Sequence, residues 1–108
     1  MPQEKTFENK RKKDLKGKGC YCVKYFGNAY STSGTPDILA SVNGYFLAIE
    51  VKADNGKPTE LQLEKIREIR ASGGFGYVAY PSGWQKLKDI IDGLLVDEFS
   101  REEEIFIK

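Results

Sequence analysis

The chain has 108 residues, of which 40% are hydrophobic and 31% charged, and its formal net charge is +1. This length and composition predict a single globular domain over residues 1–108, with no apolar run near the roughly 20 residues of a membrane helix and no signal peptide, so a cytoplasmic protein is expected. The absence of histidine excludes Ser-His and Cys-His nucleophiles and metal sites built on imidazole.

A basic helix is the first predicted element, from Glu4 to about Lys16. Residues 1–24 carry eight basic and three acidic side chains, whereas residues 89–108 carry two basic and seven acidic ones. Lys12 and Lys13 on such a helix can contact phosphates, but an ordinary solvated helix face explains the same charge pattern equally well.

Cys20–Phe26 alternates like a strand, and the next segment is predicted to be a loop. Cys20 and Cys22 share one face of that strand and are poorly placed for a disulfide, so they are predicted to be reduced packing residues. The loop Gly27–Thr35 is rich in Gly, Asn, Ser and Thr. Three of its residues are candidates for phosphate contacts, although turn geometry alone favours such residues in loops: Ser31, Thr32 and Ser33.

Two apolar runs, Asp37–Val42 and Tyr45–Lys52, are joined by Asn43-Gly44. Because Asn-Gly favours the positive φ angles of a two-residue turn, the sequence predicts a β-hairpin here. The run over residues 45–49 lacks polar alternation, so the second strand is predicted to be central and covered on both faces.

The remaining pattern predicts a helix over Glu60–Ser72, a strand over Phe75–Tyr80 and a helix from Trp84 to about Val96. The tail Glu98–Lys108 is predicted to be an added strand or a dimer contact. Hairpin strands pair antiparallel, whereas the strand after a helical crossover pairs in parallel. The sequence therefore predicts an α/β fold with a mixed sheet and helices on both faces.

Asp37, Glu50 and Lys52 form the candidate catalytic group. Glu50 and Lys52 are two residues apart on a strand and share a face, and the hairpin brings Asp37 beside Glu50. Two carboxylates about 4 Å apart repel by about 4 kcal/mol at an effective dielectric of 20, which favours a bound cation or a shared proton. An all-oxygen site suits Mg²⁺, with Mn²⁺ as a substitute. A chance pairing of Glu and Lys in a strand-end salt bridge is the competing interpretation.

A family resemblance rests on these same residues. Gly34-Thr35-Pro36-Asp37-Ile38, followed by Phe46-Leu47-Ala48-Ile49-Glu50-Val51-Lys52, resembles the active-site motif of PD-(D/E)XK nucleases, particularly the virus-type replication-repair nuclease (VRR-NUC) domain in its stand-alone phage or bacterial form. The similarity extends from about Glu8 to Tyr80. It implies a restriction-endonuclease-like mixed β-sheet core, in the order αβββαβ, flanked by helices.

The resemblance also implies roles for individual residues. Asp37 and Glu50 would bind the metal together with the carbonyl of Val51, and Lys52 would be the catalytic lysine. Glu8 in the first helix matches a further acidic ligand, with Glu4 as its competitor one turn earlier. Gln62 matches a glutamine that follows the motif in the family, but with Thr59 it also forms a capping box that starts a helix without any catalytic role.

The function expected from this resemblance is a metal-dependent, structure-selective DNA endonuclease that hydrolyses phosphodiester bonds in branched DNA such as Holliday junctions. A homodimer is expected, because two active sites allow paired cuts across a two-fold-symmetric junction. The alternatives are a general or restriction-type DNA nuclease and a catalytically silent nucleic-acid-binding module.

Overall fold

The computed structural model of the protein describes residues 3–25, 34–101 and 104–108. Its helices are α1 (Gln3–Gly17), α2 (Glu60–Ala71) and α3 (Trp84–Leu95), and a short 3₁₀ turn (Pro81–Gly83) precedes α3. Its strands are β1 (Tyr21–Lys24), β2 (Ile38–Val42), β3 (Tyr45–Val51), β4 (Phe75–Ala79) and β5 (Phe106–Ile107).

The five strands form one mixed sheet in the order β1-β2-β3-β4-β5. The first three strands pair antiparallel, and β3, β4 and β5 pair in parallel. Asn43 and Gly44 both have positive φ angles, 52° and 84°, as the predicted two-residue turn requires. The α/β fold, the hairpin and the parallel pairing after the helical crossover are confirmed.

Helices pack on both faces of the sheet. On one face, Ile38, Leu47 and Ile49 are fully buried in a core that also contains residues of α1 and α3. On the other face, Ile66 of α2 packs against Val78 and the adjacent Tyr80. Strand β3 is central, as predicted, and residues 47–51 are buried. The prediction that the whole apolar run is covered on both faces is wrong at Phe46, which is exposed.

The C-terminal tail supplies the edge strand β5, so the added-strand prediction is confirmed. Val78 lies opposite Phe106, and the backbone N–H of Tyr80 donates to the carbonyl of Ile107 at 3.0 Å. Gly83 leaves room for this strand: a Cβ atom there would lie 2.2 Å from the Ile107 carbonyl oxygen. The parallel strands β3, β4 and β5 thus end at one common edge of the sheet.

Two further expectations concern single segments. Cys20 and Cys22 are free and buried, which confirms that they are reduced packing residues. The loop residues Ser31, Thr32 and Ser33 lie outside the described residues.

In the part of the chain that the structure describes, no helix has the length and apolar character needed to cross a membrane.

Candidate active site

Asp37 and Glu50 meet at one edge of the sheet because of the hairpin register. Ile38 pairs with Ile49, so Asp37, immediately before β2, lies opposite Glu50. The Oδ2 atom of Asp37 accepts a hydrogen bond from the backbone N–H of Val51 at 3.0 Å. The Asp37 carboxylate is therefore held against the carboxyl end of β3.

Glu50 is the most buried acidic group of this site, with 2% of its surface exposed. Its Oε2 atom lies 3.5 Å from the Lys52 ammonium, and within the described residues its Oε1 atom has no hydrogen-bond partner. Burial and the nearby Asp37 carboxylate raise the pKa of Glu50 to about 8, while Lys52 opposes the rise. A buried carboxyl oxygen without a partner is costly and suits a site that gains a cation.

Glu8 of α1 joins the site through Lys24. The Lys24 ammonium donates to Oε1 of Glu8 at 2.8 Å and to Oδ1 of Asp37 at 3.1 Å. Burial alone would lower the pKa of Lys24, but its hydrogen bonds to the two carboxylates outweigh burial and raise it. Glu8 is buried, whereas Glu4, one turn earlier, is half-buried. The choice of Glu8 over Glu4 as a metal ligand stays a prediction.

Lys24 is the site residue that sequence reasoning missed. The charge pattern of residues 1–24 marks Lys24 only as one basic residue among eight. In the structure it ends β1, which pairs antiparallel with β2. In such a pair, the end of one strand lies beside the start of the next. Lys24 pairs with Ile38, the residue after Asp37, so a lysine at the end of a strand before a Pro-Asp motif was the available signal.

Gln62 lies at the start of α2 and completes the predicted capping box. The Thr59 hydroxyl accepts from the backbone N–H of Gln62 at 3.1 Å, and the Gln62 Oε1 atom accepts from the backbone N–H of Thr59 at 2.9 Å. This confirms the structural role. A catalytic role of Gln62 stays a prediction. Because the side-chain oxygen accepts the capping hydrogen bond, only the side-chain NH₂ group would be available for such a role.

The residues present fit a hard divalent cation. Their donors are oxygens, and Glu50 Oε1 is a buried acceptor without a partner among the described residues. In the same described part of the chain, no three acidic or cysteine side chains are already gathered as a metal cage. The Lys24 ammonium lies between Glu8 and Asp37, so a ligand set that includes Glu8 requires Lys24 to shift.

A mixed sheet whose central hairpin ends in Asp37, Glu50 and Lys52, between flanking helices, defines a restriction-endonuclease-like protein of the PD-(D/E)XK superfamily. Within that superfamily, the family model for the archaeal Holliday junction resolvase (Hjc) matches residues 3–83. The chain belongs to this family.

A solved structure supports the assignment. The structure of Hjc from Archaeoglobus fulgidus, described as a Holliday junction resolvase from an archaeal hyperthermophile, aligns with a TM-score of 0.55 and 28% sequence identity. The alignment covers 70% of this chain and 66% of that one, just under two thirds of its length. The comparison with curated proteins finds no similar sequence.

Glu50→Gln is expected to flatten the pH dependence of folding stability. With a folded-state pKa of about 8 against an ordinary value of 4.5, the folded protein keeps a proton that the unfolded chain releases in this range. Stability from this group is therefore full at low pH and falls as the pH rises from about 4.5 to about 8. Thermal melts in EDTA, recorded at several pH values between about 4.5 and about 8, should show Tm falling more steeply with pH for the wild type than for Glu50→Gln. Parallel curves of Tm against pH would contradict the expectation.

Thr59→Ala and Gln62→Ala separate the capping role of Gln62 from a catalytic one. Each variant breaks the capping box, so each should lower the free energy of unfolding, and for the N-cap substitution Thr59→Ala the expected loss is about 0.5–2 kcal/mol. If the Gln62 side chain also acts in the site, only Gln62→Ala should slow phosphodiester cleavage in a single-turnover assay. Equal cleavage rates for the two variants would leave Gln62 with the capping role alone.

Proposed function

We propose that the protein is a metal-dependent, structure-selective DNA endonuclease that cuts branched DNA, with the four-way Holliday junction as its substrate. The observation that carries the proposal is the grouping of Asp37, the buried Glu50 and Lys52 at one edge of the sheet. Family membership and the description of the Archaeoglobus fulgidus protein as a Holliday junction resolvase support the choice of substrate.

Mg²⁺, with Mn²⁺ as a substitute, is the proposed cofactor. Asp37, Glu50 and the backbone carbonyl of Val51 would hold it, and Glu8 would complete the ligand set. When bound, such a cation neutralises charge on the phosphodiester and lowers the pKa of a coordinated water. The raised pKa of Glu50 means that the carboxyl group must lose its proton before it can serve as a ligand.

Lys52 is the proposed catalytic lysine. Its ammonium lies beside Glu50, and 15% of its side-chain surface is exposed, so it is close to the carboxylates and still reachable from solvent. In this position Lys52 can orient an attacking water and offset the charge that develops on the phosphate oxygens. Water attacks the phosphate directly, so no covalent enzyme intermediate is needed.

Basic residues of α1 are the proposed phosphate contacts outside the site. Lys12 is half-buried and lies 3.5 Å from Glu8, whereas Lys13 is exposed. Lys13 is thus better placed for a backbone phosphate, and Lys12 more closely tied to the carboxylates. Contacts of this kind carry no sequence information, which suits recognition by DNA shape.

A homodimer would give the paired cuts that a two-fold-symmetric junction requires. We propose that it forms through the face of the sheet that carries Tyr21 and Val23 of β1, Leu39 of β2 and Phe46 of β3. Tyr21 and Phe46 are 73% and 47% exposed, which is unusual for large apolar side chains that lie together on one sheet face.

Phe46→Glu is expected to convert the dimer to a monomer, because a carboxylate at the centre of an apolar contact is left without a partner. Size-exclusion chromatography with light scattering should give about twice the 12.2 kDa chain mass for the wild type and a single chain mass for the variant. Val96→Glu, at a more exposed apolar position after α3, is the matched control and should stay dimeric. A monomeric wild type, or a dimeric Phe46→Glu variant, would contradict this interface.

Lys52→Ala is expected to slow cleavage of a four-way junction by roughly 10²- to 10⁴-fold while folding and DNA binding stay near wild type. The measurement is single-turnover cleavage of labelled four-way, splayed-arm, flap and linear duplex DNA with Mg²⁺ or Mn²⁺ and an EDTA control. Lys86→Ala, on α3, is the matched lysine control.

The outcomes of this assay separate the alternatives. Metal-dependent cutting confined to branched DNA supports the proposal, and cutting of all substrates points to a general or restriction-type nuclease. Binding without any cleavage by the wild type points to a silent nucleic-acid-binding module.

Three further expectations stay predictions. They are the single domain over residues 1–108, the narrower VRR-NUC resemblance with its phage or bacterial form, and a location in the cytoplasm of a bacterial or phage-infected cell.

A further inference from the structure

A pocket of about 470 Å³ lies beside the candidate active site, within the range of about 300–1,000 Å³ typical of ligand sites. It combines apolar and aromatic side chains with two lysines. Its lining consists of Asp54, Asn55, Gly56, Lys57, Pro58, Leu63, Tyr80, Phe106 and Lys108.

The sheet register places this pocket next to Lys52. The backbone N–H of Lys52 donates to Ala79, and that of Tyr80 donates to Ile107, each at 3.0 Å. Lys52, Tyr80 and Lys108 therefore follow one another across the ends of three parallel strands. With strands about 4.8 Å apart, the backbones of Lys52 and Lys108 are about 10 Å apart. A nucleotide adjacent to a phosphate bound at Lys52 can reach the pocket.

The pocket is built into the fold. The Tyr80 hydroxyl donates to the carbonyl of Gly56 at 3.0 Å, which fixes the segment after β3 against the end of β4. The N–H of Gly56 donates to the carbonyl of Ala53 at 2.8 Å and closes a turn in that segment. Phe106 is half-buried, so part of its ring remains accessible.

The chemistry of the lining matches a nucleotide. An aromatic ring stacks with any base, and lysine ammonium groups attract the adjoining phosphates. The Lys108 ammonium lies 5.7 Å from the centre of the Phe106 ring, so charge and stacking surface are adjacent. Asp54 is the acidic residue of the lining, and its two carboxylate oxygens accept hydrogen bonds from Gln3 and Ser82.

We propose that this pocket binds a nucleotide of the DNA strand next to the cleaved phosphodiester, whose base leaves its pair at the branch point on binding and lies against Phe106, with its phosphate at Lys57 and Lys108. The inference rests on the proposed function and adds a strand-positioning site to it. Phe106 and Lys108 come from β5, which lies beyond residues 3–83, the part that the family model matches. The site is thus built partly from a segment outside the matched family core.

Phe106→Ala tests the stacking contact by single-turnover cleavage of four-way junctions. The variant should cut intact junctions roughly five- to a hundredfold more slowly than the wild type, the loss expected for one base–aromatic stack. An abasic site is then placed, one position at a time, at the nucleotides flanking the cut. At the position that enters the pocket, the wild type should slow to the rate of Phe106→Ala, and the variant should show no further loss.

Control variants separate stacking from unfolding. Phe106→Tyr keeps a ring and should restore the wild-type rate. Phe99→Ala removes a partly exposed ring that packs with Tyr45 and Phe75, the first residues of β3 and β4. This variant should leave the rate unchanged. Lys108→Gln should weaken junction binding and reduce the slope of log affinity against log salt by about one.

Failure of this inference is distinct from failure of the proposed function. If the wild type cuts junctions and Phe106→Ala cuts every substrate equally well, the nucleotide pocket is overturned and the nuclease stands. An abasic effect that is the same size in Phe106→Ala and in the wild type at every position also overturns it. If the wild type cuts no junction at all, the proposed function fails and the pocket assignment fails with it.

Discussion

The register of the β2–β3 hairpin is the constraint on which the site depends. Asn43 and Gly44 accept the positive φ angles of a two-residue turn, and this turn fixes Ile38 opposite Ile49. A shift by one residue would turn the apolar set of β2 or β3 away from the core and separate the carboxylates. The same burial that stabilises the hairpin therefore also holds Asp37 against Glu50.

Burying Glu50 is unfavourable for the isolated fold, and its surroundings reduce that cost only in part. Lys52 lies near one oxygen, while the Asp37 carboxylate raises the pKa further instead of lowering it. Lys24 offsets charge on Asp37 and Glu8. Lys12 also lies beside Glu8, so three lysines face the three carboxylates in the protein alone. One buried oxygen of Glu50 still lacks a partner among the described residues, and a divalent cation bound there would supply it.

The sequence predicted the parts of the fold that depend on local signals, because hydrophobic periodicity and turn residues carry them directly. The hairpin turn, the capping box at Thr59 and the central position of β3 are of this kind. Lys24 was missed because its place beside Asp37 arises from strand pairing across a loop, not from any local motif. The sequence of the tail was compatible with an added strand or with a dimer contact. Only its pairing with β4 distinguishes these two alternatives.

Parallel pairing of β3, β4 and β5 places the residues that follow these strands side by side. No local motif indicates this arrangement, and the family match ends at residue 83, before β5. Parallel strands end together, so every residue just beyond them lies along one edge of the sheet. Lys52 follows β3, Tyr80 follows β4 and Lys108 follows β5. One edge therefore carries the proposed chemical step, an aromatic pocket and a second cation in a row, which is the order in which a single DNA strand would meet them.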